Sequence, residues 1–212
     1  MAAYPEPAYP GEPAYPGEPA CPAALAEHRD DGHPDGEHWS GSGETLTIRP
    51  IRPEDAAAHL AFFQRLTPED IRLRFFAAVR ELTPAMLARF TRLEYERDMA
   101  FIAVREASGE TVGVARLVRE DDPAVGEFAV IVQPDVKGHG LGGHLMRLLL
   151  DWGWAHGVRR VVGEILAENA PMLDLARALG FQLRHMAGNS GVIEAVLDRP
   201  ETKQGTWTPA GG

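Results

Sequence analysis

The residues best suited to chemistry in this chain form a glycine-rich run, Lys137-Gly138-His139-Gly140-Leu141-Gly142-Gly143, set between an apolar strand and an amphipathic helix. Glycines at 138, 140 and 142 remove the Cβ atoms that would hold a ligand off the main chain, so successive amide groups can converge on an anion where the helix begins. The positive end of the helix dipole adds to that attraction, and Lys137 adds a full charge. The run therefore reads as a phosphate cradle. Upstream, Glu127 opens the strand Glu127-Phe128-Ala129-Val130-Ile131-Val132, where apolar neighbours Phe128 and Val130 are expected to raise its pKa toward the range useful to a base.

Spacing decides among the phosphate loops. A Gly-x-Gly-x-x-Gly pattern exists at 138, 140 and 143, but a dinucleotide site follows the first strand of a βαβ unit and places an acid about 20 residues on. Here three predicted strands precede the turn, and only Glu164 lies near that distance. A Walker loop ends in Gly-Lys-Ser or Gly-Lys-Thr, and Gly142-Gly143-His144 does not. The remaining pattern is Gln/Arg-x-x-Gly-x-Gly/Ala after a Val-x-Pro strand end. Val132-Gln133-Pro134 followed by Lys137 to Gly142 resembles, in this respect, the acetyl-CoA loop of the GNAT acyltransferase superfamily. Lys137 replaces the usual Gln or Arg; it keeps a cation and loses the planar fork of donors.

The resemblance spans roughly residues 45 to 198, because Glu168-Asn169-Ala170-Pro171-Met172 through Leu179-Gly180-Phe181 looks like the superfamily's second half. Within it the chain is similar to bacterial protein lysine acetyltransferases that modify acyl-CoA synthetases, in Ile71-Arg72-Leu73-Arg74-Phe75-Phe76, Tyr95-Glu96-Arg97-Asp98-Met99-Ala100 and Gly126 to Val132. The resemblance implies an α/β fold with a central twisted mixed sheet and helices on both faces. It implies acetyl-CoA as co-substrate, no metal, and a protein substrate. It assigns cofactor contacts to Val130, Ile131, Val132, Lys137, Gly138, His139, Gly140, Leu141, Gly142 and Gly143, with Asn169 holding the pantetheine arm. Glu127 becomes the general base, acting on the lysine directly or through water.

That assignment meets the demands of acyl transfer to an amine. An ammonium with a reference pKa near 10.4 must lose a proton before it attacks a thioester, and only about one lysine in a thousand is neutral at pH 7. The carbonyl oxygen then needs donors, which backbone amides of the central strand can supply. Glu164, in the next strand, is the rival base; Glu127 could also be an inert strand-edge acid. His139 is read as a solvent-facing loop residue and His144 as the exposed side of the helix. Many superfamily members use a Tyr seven residues after the Asn as general acid, a position occupied here by Ala176. Tyr95 is the only tyrosine of the folded region, so the thiol, with a pKa near 8.5, is expected to leave unaided. With the sole cysteine, Cys21, outside that region, an acyl-cysteine intermediate is excluded.

These groups must be positioned by a fold that turn chemistry outlines. Strands are expected at Leu46 to Arg49, Met99 to Glu106, Thr111 to Arg119 and Gly126 to Val132, the second and third joined through Ser108-Gly109. A helix is expected over Glu54 to Gln64, and Thr67-Pro68 and Thr83-Pro84 each place a cap before a first-turn proline. Leu141, Leu145, Leu148, Leu149 and Trp152 share one face of a helix that His156-Gly157 ends. Val161 to Leu166, Met172 to Leu179, Phe181 to Met186 and Val192 to Leu197 add strand, helix, strand, strand. Consecutive strands followed by alternation predict a mixed sheet.

Residues 1–43 differ in kind from the rest. They hold eight of the seventeen prolines and an imperfect Ala-Tyr-Pro-Gly-Glu-Pro repeat, and are read as a disordered, partly polyproline II tail, with 44–199 the catalytic domain and 200–212 a second tail. The first tail carries eight acids against Arg29, a net −7 that leaves only −3 of the chain's −10 elsewhere. Such a balance argues against nucleic acid as a partner. No leader-like or long apolar run argues for secretion or the membrane, and the lone cysteine fits a cytoplasmic protein without a thiolate metal site. Two further readings stay open: acetylation of a small amine or antibiotic, favoured by acids at Glu94, Glu96 and Asp98, and a catalytically silent acyl-CoA sensor that docks through its tail.

Overall fold

The structure is a computed structural model that describes residues 36–41, 43–94, 97–186 and 188–200. Eight strands form one sheet in the order β1-β2-β3-β4-β5-β6-β8-β7. In chain order they are β1 (Glu37–Ser40), β2 (Thr45–Pro50), β3 (Asp98–Arg105), β4 (Thr111–Arg119), β5 (Val125–Val132), β6 (Arg160–Leu166), β7 (Gln182–Met186) and β8 (Asn189–Asp198). Every neighbouring pair is antiparallel except β5 and β6, so the sheet is mixed as expected. The helices are α1 (Ala56–Gln64), α2 (Pro68–Phe75), α3 (Pro84–Thr91), α4 (Leu141–Ala155) and α5 (Ala170–Ala178).

Two apolar layers cover the two faces. On one, α4 buries Leu141, Leu145, Met146 and Leu149 against Val112, Ala115, Leu117 and Phe128. On the other, Phe62, Phe63 and Ile71 of α1 and α2 pack with Ile102 and Val114. Strand alternation divides β5 between them: Phe128, Val130 and Val132 face α4, and Ile131 faces α1 to α3. Glu127 belongs to the α1–α3 face, so Phe128 and Val130 lie behind the sheet from it and cannot be the neighbours that desolvate it.

Local chemistry explains where α2 and α3 begin. The Thr67 hydroxyl accepts the Asp70 amide at 3.1 Å, and the Asp70 carboxylate accepts the Thr67 amide at 3.1 Å, a reciprocal cap. Thr83 accepts the Met86 amide at 3.2 Å. Phe76, with φ +58, closes α2 in the left-handed region, immediately after Arg74 and Phe75.

The boundary expected at residue 43 falls too late. β1 pairs with β2 from Glu37 opposite Ile48 to Ser40 opposite Thr45, and Trp39 packs against the α4 core beside the His144 ring, 6.5 Å between centroids. The strand is short and half polar, so its sequence resembles the tail it continues. Residues 1–35 and 201–212, the remainder of the two predicted tails, lie outside the described residues, as do Tyr95 and Glu96. A chain beginning at Gly36 is expected to melt with the full-length protein, since nothing in the preceding composition favours packing. One beginning at Gly43 loses the burial of Trp39, about 2 kcal/mol, and is expected to melt several degrees lower in a thermal scan.

Candidate active site

The site begins where β5 and β6 part. They pair only from Val125 opposite Arg160 to Glu127 opposite Val162, although β5 continues to Val132 and stays registered with β4 throughout. From Phe128 to Val132 the β5 edge on the β6 side therefore has no strand partner among the described residues. That splay is a slot bordered by main-chain donors and acceptors. Val130, Ile131 and Val132 offer the slot their backbone, because their side chains are committed to the two apolar layers. At the fork, Gly163 lies beneath the Phe128 ring, where a Cβ would come within 2.5 Å of Phe128 Cε1. Sequence reasoning passed over this glycine; only the cross-strand packing reveals the requirement.

Beyond the slot, the chain turns through Gln133-Pro134 into the glycine run. The Gln133 side chain is buried and donates to the Phe62 carbonyl at 2.7 Å, fixing the strand end to α1. Gly138 and Gly140 have φ of +80 and +90, and a Cβ on either would meet nothing within 4 Å. The main chain is thus bent as only glycine readily bends, and it faces open space. Gly140 is the N-cap of α4, whose first intrahelical bond is from the His144 amide to the Gly140 carbonyl at 3.0 Å. The amides of Leu141, Gly142 and Gly143 precede that bond and are the donors an anion would take. Leu141 is buried and pins the start of the helix, and a Cβ on Gly143 would lie 3.3 Å from Leu175, so Gly143 also serves α4–α5 packing.

Two side chains near the loop differ from expectation. Lys137 is exposed but engaged: its ammonium donates to Asp70, so the cation is held by α2 rather than aimed freely at the cradle. Burial alone would raise the Asp70 carboxyl, but hydrogen bonds from Lys137 and Thr67 hold it below the usual range. His144 is not on the exposed side of α4; it is partly covered by Trp39, with Nε2 3.2 Å from Glu37. His139 is exposed, as expected, and its carbonyl lies 3.1 Å from where a Cβ on Gly41 would stand.

Across the slot, Asn169 caps α5, its Oδ1 accepting the Met172 amide at 3.3 Å. Its Nδ2 has no hydrogen-bond partner among the described residues and lies at the end of the loop that follows β6. Helix α2 reaches both borders of the slot, through Asp70 to Lys137 and through Arg72 to Glu168, the residue before Asn169. Short-range sequence context marks Asp70 only as part of a helix start and Arg72 only as part of the Ile71 to Phe76 segment, not as contacts to the slot. Ala176, where a tyrosine acid would stand, is fully buried, and no side chain there can reach the slot.

Glu127 occupies the last registered position before the strands part. Its side chain is open to solvent, yet the surrounding protein removes enough hydration to lift the carboxyl above the ordinary range. Arg74 pulls in the opposite direction, and Glu120 and Glu164 add to the rise. The contrast between an exposed surface and a desolvated carboxyl is that of a cleft floor. Glu164, also exposed, points to the same face from β6 but pairs opposite Glu194 on the far side of the fork.

The site thus combines a slot between parting strands, a glycine run with open amides at its end and a desolvated acid at its fork. Comparison with known proteins agrees. The family described as the acetyltransferase (GNAT) domain matches residues 45–182. An acetyltransferase of Pseudomonas aeruginosa is 36% identical over 152 residues, which cover 69% of this chain and 82% of that protein. The GNAT domain of PAT from S. lividans superposes with a TM-score of 0.71 at 23% identity, covering 77% of this chain and 96% of that one. A putative acetyltransferase from Salmonella typhimurium, solved with its cofactor acetyl-CoA, gives 0.58 at 21% identity, covering 74% and 96%. No described helix is long and apolar enough to cross a membrane. The chain belongs to the GNAT acetyltransferase family and is an acetyl-CoA-dependent acetyltransferase.

Proposed function

We propose that the protein transfers an acetyl group from acetyl-CoA to the ε-amine of a protein lysine, on an AMP-forming acyl-CoA synthetase, with Glu127 as general base. The observation that carries the reading is the place of Glu127: at the fork of β5 and β6, with its carboxyl raised by desolvation and its side chain open to solvent. A solvent-facing base suits an acceptor that arrives on another macromolecule. Glu127 takes one proton of the ammonium, the freed nitrogen attacks the thioester carbonyl, and the C–S bond breaks to release the CoA thiolate. The second proton that the nitrogen sheds to become an amide passes by way of solvent to the thiolate, while Glu127 returns its own to solvent. Amides along the unpaired β5 edge and at the start of α4 are the donors for the developing oxyanion and for the pyrophosphate. The three segments that resemble the protein lysine acetyltransferases support the choice of acceptor.

A cationic small amine finds less support. Of the acids that would attract it, Asp98 is raised by burial even against the opposing charge of Arg116, so it holds its negative charge poorly. Incubating acyl-CoA synthetases with the protein and acetyl-CoA, then mapping acetyl-lysine by mass spectrometry, is expected to return one modified active-site lysine. Unmodified synthetases alongside consumption of acetyl-CoA by small amines would overturn the acceptor. CoA binding without any transfer would favour the sensor.

A further inference from the structure

We propose that the acceptor presents a carboxylate close to its amine, and that Arg74 and Arg116 receive it in a pocket between α1 to α3 and the sheet, on the same face as Glu127. The inference deepens the reading of Glu127 as base and rests on it.

The pocket holds about 40 Å³ of space, lined among others by His59, Phe75, Phe90, Arg74, Arg116 and Ala129. Ala129 is the next residue on the Glu127 face of β5, and Arg116 of β4 pairs directly opposite it. The subsite therefore begins one side chain away from the base. Its walls are mostly apolar and both arginines lie beside phenylalanine rings: Arg74 stands 4.9 Å from the centre of the Phe75 ring and Arg116 5.7 Å from that of Phe90.

The two guanidiniums differ in how they are satisfied. Arg116 donates to the carbonyls of Phe90 and Arg89 at the end of α3, while Arg74 has no hydrogen bond or ion pair among the described residues. Arg74 is partly covered, yet the atoms packed around its charge remove most of its hydration, and Glu127 is the acid whose charge reaches it. A desolvated cation without a partner is costly, and a planar guanidinium is matched by a carboxylate through two parallel hydrogen bonds. The space suits a carboxylate on a short apolar stem and is too small for a nucleotide or sugar phosphate. His59, whose Nδ1 is buried without a partner among the described residues and whose pKa is lowered to about 4 by burial, stays neutral there and adds a polar atom without a competing charge. With the amine at Glu127 and the carboxylate at Arg74, the two groups belong to one acceptor segment on the same face of the sheet.

One chemistry has two sources: an acidic residue flanking the target lysine, or the acceptor's own carboxylate in a free amino acid. Two matched pairs of probes separate them, 6-aminohexanoate with hexylamine, and a capped Lys-Asp peptide with its Lys-Asn analogue. The wild-type protein is expected to favour the carboxylate member of at least one pair by about tenfold or more in kcat/KM, through KM; the pair that responds names the source. Arg74→Gln is expected to bring that ratio to near one, and Arg74→Lys to keep part of it. A wild-type ratio near one in both pairs, or a preference that survives in Arg74→Gln, overturns the proposal. If no probe is turned over, the CoA-saturated protein titrated with 6-aminohexanoate decides: the Nε–H resonance of Arg74 or Arg116 must shift, and two stationary resonances overturn it equally. Glu127→Gln tests the underlying reading separately. It is expected to lower kcat for both members of a pair while preserving their ratio, whereas full activity in that variant sinks the base and leaves the arginine result to be judged by the ratio alone.

Discussion

Glu127→Gln is expected to bind acetyl-CoA with unchanged affinity and to lose on the order of 10²- to 10⁴-fold in turnover at pH 7. The amide keeps the shape of the side chain at the fork and cannot accept a proton. The size of the loss follows from the substrate: with about one lysine in a thousand neutral at pH 7, an enzyme without a base can use only that fraction. The deficit should therefore shrink as pH rises and the amine deprotonates unaided. On the acid side, wild-type kcat/KM should fall as pH drops through the raised pKa of Glu127, because the protonated carboxyl is inactive. That limb lies above the range of an ordinary glutamate, since desolvation favours the neutral form. Glu164→Gln is expected to leave the acid limb nearly in place, removing only one of the lesser charges that raise Glu127. A Glu127→Gln variant with wild-type rates at pH 7, measured by thiol release, would eliminate this residue as the base; an inactive Glu164→Gln would transfer the role.

The parts of this site that could be read from the sequence are those that short-range chemistry writes. Thr67-Pro68 and Thr83-Pro84 announce two helices because a hydroxyl cap and a first-turn proline act within three residues. Gly138 and Gly140 announce a bent main chain because only the absence of a Cβ permits φ near +80 to +90. Relations across the sheet are written nowhere so locally. Gly163 is needed because of Phe128, a neighbour just past the last paired position but 35 positions away in the chain. Lys137 looks like a free phosphate ligand until α2 brings Asp70 to it, a contact across 67 positions. His144 looks exposed until Trp39 of β1 covers it, and β1 itself is four residues whose alternation is too short to stand out from the proline-rich stretch before it. The chain neighbours of Glu127 that suggest an apolar environment are sent by strand alternation to the opposite face; the charges that act on it, Arg74, Glu120 and Glu164, come from other elements or the strand's flank.

Gly140→Val is expected to weaken CoA binding by about 10- to 100-fold, the equivalent of losing about one charge-assisted hydrogen bond to the pyrophosphate. Two causes would act together, and they must be separated. A β-branched residue at φ +90 is strained wherever it occurs, by roughly 1–2 kcal/mol or more. Its side chain would also stand in the open space in front of the α4 amides, since a Cβ there meets no protein atom within 4 Å. Gly157 provides the control. It has the same φ of +90 and the same open surroundings, but it follows the C-terminal end of α4, away from the cradle. Gly157→Val should carry a comparable loss of thermal stability and none of the loss in affinity. Gly142→Ala approaches the question from the other side, because Gly142 has no positive φ and a Cβ there makes only an ordinary contact with Leu175 at 3.7 Å. That variant should fold normally, so a drop in its affinity would reflect the methyl group alone. Calorimetric titration with CoA decides among these outcomes. If folded Gly140→Val and Gly142→Ala both bind CoA as the wild type does, the pyrophosphate does not lie on this loop, and the amides at the head of α4 serve another ligand.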